Sequence, residues 1–499
     1  MVVASDAIGD DLVDPAGAGD VLRHGPGWLG GIAALALALG LRSGSRGGPL
    51  ALERAEVRHV LLAPVDRTSA LRGPALRQLR FLAFVGAVVG SIAGQLASHR
   101  LPGETATWVA SGALAGTTAV GLALGAAQVA SGLRLPRWLA SGAGTLLVLT
   151  AGLDGAGVLA VSPTEPFGRL VLWPLRFDAL GVLPVGVAAV LVVVGLTRVG
   201  VVSLEAAERR STLVGQLRFA ATLQDLRTVV LLRRQLALEL PRRRPWVPLR
   251  VHGSGRLPIM VRGLRGVLRW PAARAGRLVL LAVVAGAALR GAWTGTTPLV
   301  VVAGVAMFVA GLDGVEPLAQ EVDHPSRRDS SPFEPGHIHL RHVPVCALVL
   351  LLTAAVATVA AAVELPGVAA VPIGVAAAAA APLALGGIAG ALVSVLGGPV
   401  TVNDNWSLTP PEAQGMRLAF RSAWPPGIAV LGALPVVAAR AAVDEGRSGL
   451  AAALAVAAGV AGLFVLVCGW VRVRDKIAAW WKYHSEVPFF SSEGEARRA

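Results

Sequence analysis

The sequence predicts an all-α, polytopic membrane protein with about eleven transmembrane helices in two loosely repeated halves, and three observations support this prediction. The 499 residues are 54% hydrophobic and only 15% charged, with a mean hydropathy of +0.64; soluble domains average about a quarter charged residues. Runs of alanine, valine, leucine and glycine recur for about 20 residues, the length of helix that crosses a bilayer. Arginines lie mostly between these runs, as the positive-inside rule predicts for cytoplasmic loops.

Eleven apolar runs are long enough to be predicted as spans. They lie near residues 26–42, 80–98, 106–131, 138–160, 179–197, 276–292, 295–313, 343–364, 368–396, 423–440 and 449–471. Glycine and proline punctuate the fourth, sixth and ninth runs, a pattern that is typical of broken or re-entrant spans.

The arginine placement also predicts the orientation of the chain in a plasma (inner) membrane. The arginine-rich stretch after the first run places that end in the cytoplasm, and alternation places the N-terminus outside and the C-terminus inside. The predicted organisation has five parts. They are an acidic extracytoplasmic tail (1–25), a first membrane half (26–197), a basic cytoplasmic amphipathic segment (198–275), a second membrane half (276–471) and a cytoplasmic tail (472–499).

Residue counts argue against several classes of protein. The two cysteines, Cys346 and Cys468, each lie in an apolar run, so neither a disulfide framework nor a cysteine zinc site is predicted. The only lysines, Lys476 and Lys482, follow Asp475 and Trp481, so neither belongs to a phosphate-binding loop. No catalytic constellation is found, and the sequence predicts neither an enzyme nor a cofactor. The net charge of +14 fits the orientation rule better than it fits nucleic-acid binding.

Histidines cluster at His337, His339 and His342, with His324 upstream. Imidazoles at this spacing can hold zinc. The competing interpretation is a loop near the lipid headgroups in which the histidines are solvated. We favour this second interpretation and predict no metal site.

A short repeat relates the two halves. Pro49-Leu50-Ala51-Leu52-Glu53 follows the first run, and Pro317-Leu318-Ala319-Gln320-Glu321 follows the seventh. Both open arginine-containing stretches that lead to a new apolar run. Internal repeats are common in transporters, whereas chance similarity in a chain of low complexity is the alternative.

Residues 203–240 read as one amphipathic helix that begins with a plausible cap at Ser203 and ends at Pro241. One interpretation is a docking helix for a cytosolic partner, with Arg227, Arg233 and Arg234 at the docking surface. The other is a helix that lies on anionic headgroups, anchored by tryptophans. The two interpretations are compatible with each other.

The segment 53–67, which is amphipathic and broken by Pro64, completes a broader pattern. Together with the 203–240 helix and its Pro241-Arg242-Arg243-Arg244-Pro245-Trp246 ending, it resembles actinobacterial ABC exporter permeases of the type-2 class. The resemblance implies a membrane subunit without its own ATPase, paired with a separate cytosolic ATPase chain. No residue-level motif carries over, and the number of spans departs from the class because this chain fuses two halves.

Two further features lie inside the predicted spans. Asp154 is a candidate intramembrane charge, because buried carboxylates in membranes are often functional; a hydrated position near the outer interface is the favoured alternative. Gly86, Gly90 and Gly94 form a ridge that lets another helix approach closely. Internal packing is the favoured use of this ridge, and a homodimer face is the alternative.

Three functions therefore compete. The first is a transport permease that moves an amphipathic substrate and is energised by a separate ATPase, with membrane lipids as its other partners. The second is a membrane-embedded enzyme such as a lipid-linked glycosyltransferase, for which the outer loop 161–178 offers only Glu165 beside Arg169 and Arg176. The third is a proton-coupled secondary transporter that uses Asp154.

Overall fold

The computed structural model describes most of the chain as helix. The described residues are 15–48, 50, 64, 66–201, 245–247, 258–323, 326, 332–364, 369–397 and 423–486. Among them there are fifteen α-helices and no β-strand, which confirms the predicted all-α class. In chain order the helices are α1 (Pro15–Gly44), α2 (Arg67–Ser98), α3 (Thr105–Gly132), α4 (Arg137–Gly155), α5 (Glu165–Val171), α6 (Leu183–Thr197), α7 (Pro258–Val267), α8 (Ala272–Trp293), α9 (Leu299–Gly314), α10 (Glu316–Asp323), α11 (Pro335–Ala362), α12 (Ile373–Leu396), α13 (Ala423–Leu431), α14 (Leu434–Asp444) and α15 (Gly449–Glu486).

Eight helices of the described residues are long and apolar enough to cross a membrane, and the number rises to ten if each bent pair is one span. The eight are Ala18–Gly44, Arg67–Ser98, Thr105–Gly132, Ala179–Thr197, Arg274–Trp293, Pro335–Ala362, Ile373–Leu396 and Gly449–Ile477. The prediction of a multi-pass membrane protein is confirmed.

Every predicted run coincides with a helix or a bent pair of helices. The fourth run is α4, whose 19 residues fall outside the set of ten because charged and small residues lower its hydropathy. The breaks lie elsewhere than predicted. The bent pairs are α9–α10, at 58°, and α13–α14, at 45°, whereas α4, α8 and α12 are continuous helices.

The chain divides into two compact units. Unit 1 comprises Met1–Thr222 with Glu364–Ala369, and unit 2 comprises Leu223–Val363 with Ala370–Ala499. In unit 1, α3 lies centrally, packed by α1, α2 and α6, while α4 and α5 pack on α1. In unit 2, α12 packs against α9, α11 and α15, and α8 packs against α9 and α11. The core of unit 2 is rich in alanine, which allows these helices to approach closely.

The two units share one helix plan at a constant offset along the chain. α2 begins at Arg67 and α11 begins at Pro335. α3 begins at Thr105 and α12 begins at Ile373, so the members of both pairs are separated by the same number of residues. The packing follows the same plan, because α1–α3, α2–α3 and α3–α6 in unit 1 correspond to α9–α12, α11–α12 and α12–α15 in unit 2. The two short repeated peptides of the sequence are separated by the same number of residues. The second of them, Pro317–Glu321, lies in α10. Most of the first peptide lies outside the described residues.

Candidate functional site

Unit 2 holds a cluster of charged and imidazole side chains at one end of its helices, which we call the ionic cluster. Five of its members are less than one tenth exposed. The cluster comprises Arg262, Arg274, Arg277, Asp313, Glu316, Glu321, His339 and His342. Charged groups buried within a protein are costly unless they are paired, and so they mark candidate functional positions.

The two central arginines come from the first turns of α8. This helix starts directly after Pro271, whose ring fixes the backbone before the first turn. Arg274 and Arg277 are three residues apart and so lie on one face of the helix. The Arg274 guanidinium pairs with Glu316, donates to the carbonyl oxygen of Asp313 at 3.1 Å and lies 4.1 Å from the centroid of the Trp270 ring. Arg277 forms a two-pronged pair with the Asp313 carboxylate.

The carboxylates come from the bend between α9 and α10. Asp313 occupies the last turn of α9, and Glu316 begins α10 after the single residue Val315. Pro317 stands in the first turn of α10, where a helix does not need its missing N–H. The 58° bend therefore places two carboxylates, three residues apart, where the start of α8 can reach both.

Glycines bring the end of α9 against its neighbours. A Cβ at Gly311 would lie 2.5 Å from the carbonyl oxygen of Gly387 on α12, and a Cβ at Gly314 would overlap the side chain of Leu350 on α11. A larger residue at Gly311 would meet backbone, and one at Gly314 would displace the end of the Leu350 side chain. The bend, and with it the position of Asp313, is consequently held by close contact with two other helices.

The second part of the cluster joins α7, α10 and α11. Arg262 on α7 pairs with Glu321 on α10. Glu321 Oε1 also lies 4.0 Å from Nε2 of His342, which is only 1% exposed. His339 stands one turn earlier on α11 and is 2% exposed. Both histidines lie in the first turns of a helix, so the expected solvated loop is not found at these positions.

The charges of the ionic cluster balance, with three arginines facing three carboxylates. Such a network is held by mutual pairing, and removing one partner leaves an uncompensated buried charge that typically costs about 3–5 kcal/mol. The described residues contain no group of three or more His, Cys, Asp or Glu that could hold a metal ion. The arrangement suits a joint that ties α7, α8, α10 and α11 together at the bend.

Unit 1 has a smaller polar corner, which contains Asp154. This residue lies in the last turn of α4, and its Oδ2 accepts a hydrogen bond from the backbone N–H of Ser162 at 3.1 Å. The carboxylate packs beside α1 where Gly27 leaves room, because a Cβ there would lie 3.0 Å from Asp154 Cγ. Asp154 thus fastens the loop after α4.

The same corner holds an arginine that bridges two carboxylates. Arg169 pairs with Glu165 and with Asp178, each at 2.7 Å. The backbone N–H of Leu180 and the Arg169 guanidinium hold the pKa of Asp178 below its usual range. Glu165 and Arg169, which sequence reasoning considered as possible enzyme residues, therefore form an ion pair with each other, and Arg169 links this pair to Asp178.

The glycine ridge lies between two helices of unit 1. A Cβ at Gly86 would lie 2.7 Å from the carbonyl oxygen of Gly116, and a Cβ at Gly90 or Gly94 would overlap the carbonyl oxygens of Gly112 and Trp108 on α3. The ridge of α2 is therefore in backbone contact with α3 inside the same unit.

The predicted docking residues Arg227, Arg233 and Arg234, with the whole 203–240 helix, lie outside the described residues. Sequence reasoning named Glu321, in the repeated peptide, and the histidines separately, but it did not single out Arg274, Arg277 or Glu316. A signal was present. Adjacent antiparallel spans place the start of one beside the end of the next, so an arginine pair opening α8 and a carboxylate closing α9 can meet.

The fold and these sites define an all-α, multi-pass membrane protein with a buried ionic cluster in its second unit. No protein family, no curated protein and no solved structure matches the chain.

Proposed function

We propose that the protein is the membrane-spanning permease of an exporter, energised by a separate ATPase chain and moving an amphipathic substrate. The single observation that carries this proposal is the repeated helix plan, in which α2 and α3 recur at one constant offset as α11 and α12. Repeated membrane units with a substrate path between or within them are characteristic of transporters.

The ionic cluster supports the same proposal. A transporter must change shape in a controlled way, and such changes concentrate at elements with two discrete arrangements. The α9–α10 bend is a place where a small movement would break or exchange several ion pairs at once. An enzyme would instead need reactive groups open to a substrate, whereas the carboxylates of the cluster are engaged by arginines.

A separate ATPase is proposed because the sequence has no lysine in a phosphate-binding loop. The chain would lie in the plasma (inner) membrane with its N-terminus outside and its C-terminus in the cytoplasm, following the arginine placement. Single-cysteine labelling tests this orientation: a cysteine near residue 445 should react in intact cells. Reaction only after permeabilisation would invert the topology.

Co-purification tests the ATPase partner. The full chain, tagged and cross-linked in its native membrane, should recover an ATP-hydrolysing chain, while the purified chain alone should hydrolyse no ATP. Arg227→Glu should reduce recovery more than tenfold, because like charges at a docking surface repel. Arg227→Lys should also reduce recovery, since lysine keeps the charge but loses the fork of donors. Arg447→Glu is the matched control, because Arg447 is exposed in a segment predicted to lie outside.

The outcomes separate the parts of the proposal. Equal recovery with wild type and both Arg227 variants would remove docking from this face of the 203–240 helix. Failure of the wild-type chain to recover any ATPase would overturn the energised-permease proposal. Uptake driven by a pH gradient and abolished in Asp154→Asn would replace it with a proton-coupled transporter.

A further inference from the structure

The short helix α7 has two faces with different surroundings. Gly263 faces the interior of unit 2, where a Cβ would lie 3.4 Å from Val345 and 3.7 Å from Pro317. Arg262 reaches back to Glu321. Arg265, and Arg269 in the turn that follows α7, are exposed, as is about half of the Arg262 side chain. Spacings of three and then four residues bring these three arginines to one side of the helix, and of the three only Arg262 pairs with a described carboxylate.

The junction between α7 and α8 is held in place by two tryptophans. The backbone N–H of Trp246 donates to the carbonyl oxygen of Leu268 at 2.9 Å, and its indole Nε1 donates to that of Trp270 at 2.8 Å. The Trp270 ring in turn packs on the Arg274 guanidinium. Trp246 is nevertheless half exposed. The exposed arginines are therefore presented from a position tied to the buried ionic cluster.

This position coincides with the beginning of a membrane span. The apolar stretch of α8 starts at Arg274, a few residues after Val267, where α7 ends. Residues next to the start of a span are expected at headgroup depth, where tryptophan is favoured because its ring is amphipathic. We therefore expect α7 and its tryptophans to lie near the lipid phosphates.

The charge of this face is not balanced within the described part of unit 2. The carboxylates of the ionic cluster pair with Arg262, Arg274 and Arg277. No described carboxylate forms an ion pair with Arg265 or Arg269. Guanidinium groups bind phosphate oxygens with two parallel hydrogen bonds, so an anionic phosphodiester complements this pair.

We propose that Arg265 and Arg269, with Trp246 beside them, form a binding site for the headgroup phosphate of an anionic phospholipid in the leaflet where α8 begins. The site would fix α7 against the membrane surface and so steady the end of the unit that carries the α9–α10 bend. This inference concerns a lipid partner and does not depend on the proposed ATPase.

Lipid retention by the purified full chain tests the site. Detergent-purified protein is mixed with equal amounts of phosphatidylglycerol and phosphatidylcholine, and bound lipid is counted by native mass spectrometry. Wild type should retain phosphatidylglycerol preferentially. The variant Arg265→Gln/Arg269→Gln should lose about 25-fold in affinity for it, at about fivefold for each arginine. Arg265→Lys/Arg269→Lys should keep most of the binding at low salt and lose it at high salt.

The control removes the same charge elsewhere. Arg176→Gln/Arg447→Gln changes two exposed arginines in segments predicted to lie on the other side of the membrane, and it should bind like wild type. Three results would overturn the proposal. They are full retention by the glutamine variant, an equal loss in the control, and a wild type that does not prefer phosphatidylglycerol. Displacement of the bound lipid by an acidic peptide, with higher affinity than any lipid, would assign the face to a protein partner instead.

Discussion

Helices α2 and α11 occupy equivalent places in the two units, yet their surroundings differ sharply. Only 6% of the central apolar stretch of α2 is buried, against 50% of that of α11. α2 meets α3 along its ridge of glycines and meets the turn at Gly200 through Thr68. α11 is covered by α7, α8, α12 and α15.

This difference in burial arises because unit 2 has a helix, α8, that has no counterpart among the described residues of unit 1. α8 packs on α11 at Gly286, where a Cβ would lie 2.8 Å from the Cβ of Ala360. Because α8 covers α11, the first turns of α11 become interior and can hold His339 and His342. The same helix supplies Arg274 and Arg277 to the carboxylates of the bend.

The two copies of the repeated helix plan thus differ in how their equivalent helices are held. At positions 86, 90 and 94 unit 1 has glycine, whereas the equivalent positions of unit 2 hold Ala354, Thr358 and Ala362. The first copy uses backbone contact to hold a helix that is otherwise exposed. The second copy surrounds its helix and places charge at the end of it.

The largest effect is expected from Arg274→Met. The substitution leaves Glu316, whose side chain is only 6% exposed, without its main partner. Removing one member of a buried pair typically costs about 3–5 kcal/mol, so we expect a loss of about 3 kcal/mol in the free energy of unfolding. Reversible unfolding in mixed micelles, followed by tryptophan fluorescence, measures this loss.

Two controls sharpen that experiment. Arg274→Met/Glu316→Met removes both charges and should recover most of the loss, because apolar groups can replace a buried pair at little cost. Arg447→Met breaks an exposed pair with Glu445 and should cost less than about 1 kcal/mol. An Arg274→Met protein as stable as wild type would show that the ionic cluster does not hold unit 2 together.

A smaller effect is expected from Gly90→Ala in unit 1. The added methyl group would overlap the carbonyl oxygen of Gly112, so α2 and α3 must separate. Overpacking of this kind costs about 1–3 kcal/mol. The same unfolding experiment measures it. Gly186→Ala in α6 is the matched control, because no atom lies within 4 Å of a Cβ there; equal stability of the two variants would contradict the close packing of the ridge.

Features that depend on residues close together in the sequence could be predicted, whereas features that depend on contacts between separate helices could not. Hydrophobic periods and arginine placement report local chemistry, so the helical class and nearly all the spans could be predicted. The location of the breaks could not, because α8 and α12 continue through glycine or proline while α9 ends at a bend where Gly311 and Gly314 meet α12 and α11. Gly314 and Pro317 are local signals for the end of one helix and the start of the next, but the contacts that hold the bend come from other helices.

The site was predictable in part for the same reason. Glu321 stands out in the sequence as part of a repeated peptide, but the arginine partners of Asp313 and Glu321 lie on α8 and α7, which are separate helices earlier in the chain. Pairing between separate helices depends on which helices are neighbours. The sequence shows which residues are charged, but the packing of the helices determines which charged residues form ion pairs.

The smallest effects concern the residues that cap α2 and α11. Asp66 and Glu334 are the N-cap residues of the two helices and are equivalent under the same constant offset. Asp66 caps its own helix, because its carboxylate accepts from the N–H of Ser69 at 2.9 Å and of Thr68 at 3.2 Å. Glu334 makes no such cap and pairs instead with Lys476 of α15 at 3.1 Å.

Acid and salt should therefore separate these two equivalent residues. The backbone N–H groups of Ser69 and Thr68 lower the pKa of Asp66, and the Lys476 ammonium lowers that of Glu334. A carboxyl with a lowered folded-state pKa stabilises fully above its unfolded value, about 4, and this contribution is lost as the pH falls through the folded value. We expect wild type to lose stability relative to Asp66→Asn and to Glu334→Gln between about pH 5 and pH 2.

Added salt at pH 7 should erase the advantage of wild type over Glu334→Gln, since exposed ion pairs are screened. It should leave Asp66 unaffected, because a cap is a local hydrogen bond to the backbone. Unfolding midpoints for both variants across pH and salt measure this, and an equal salt response at the two positions would show that the two caps do not differ as their geometry indicates.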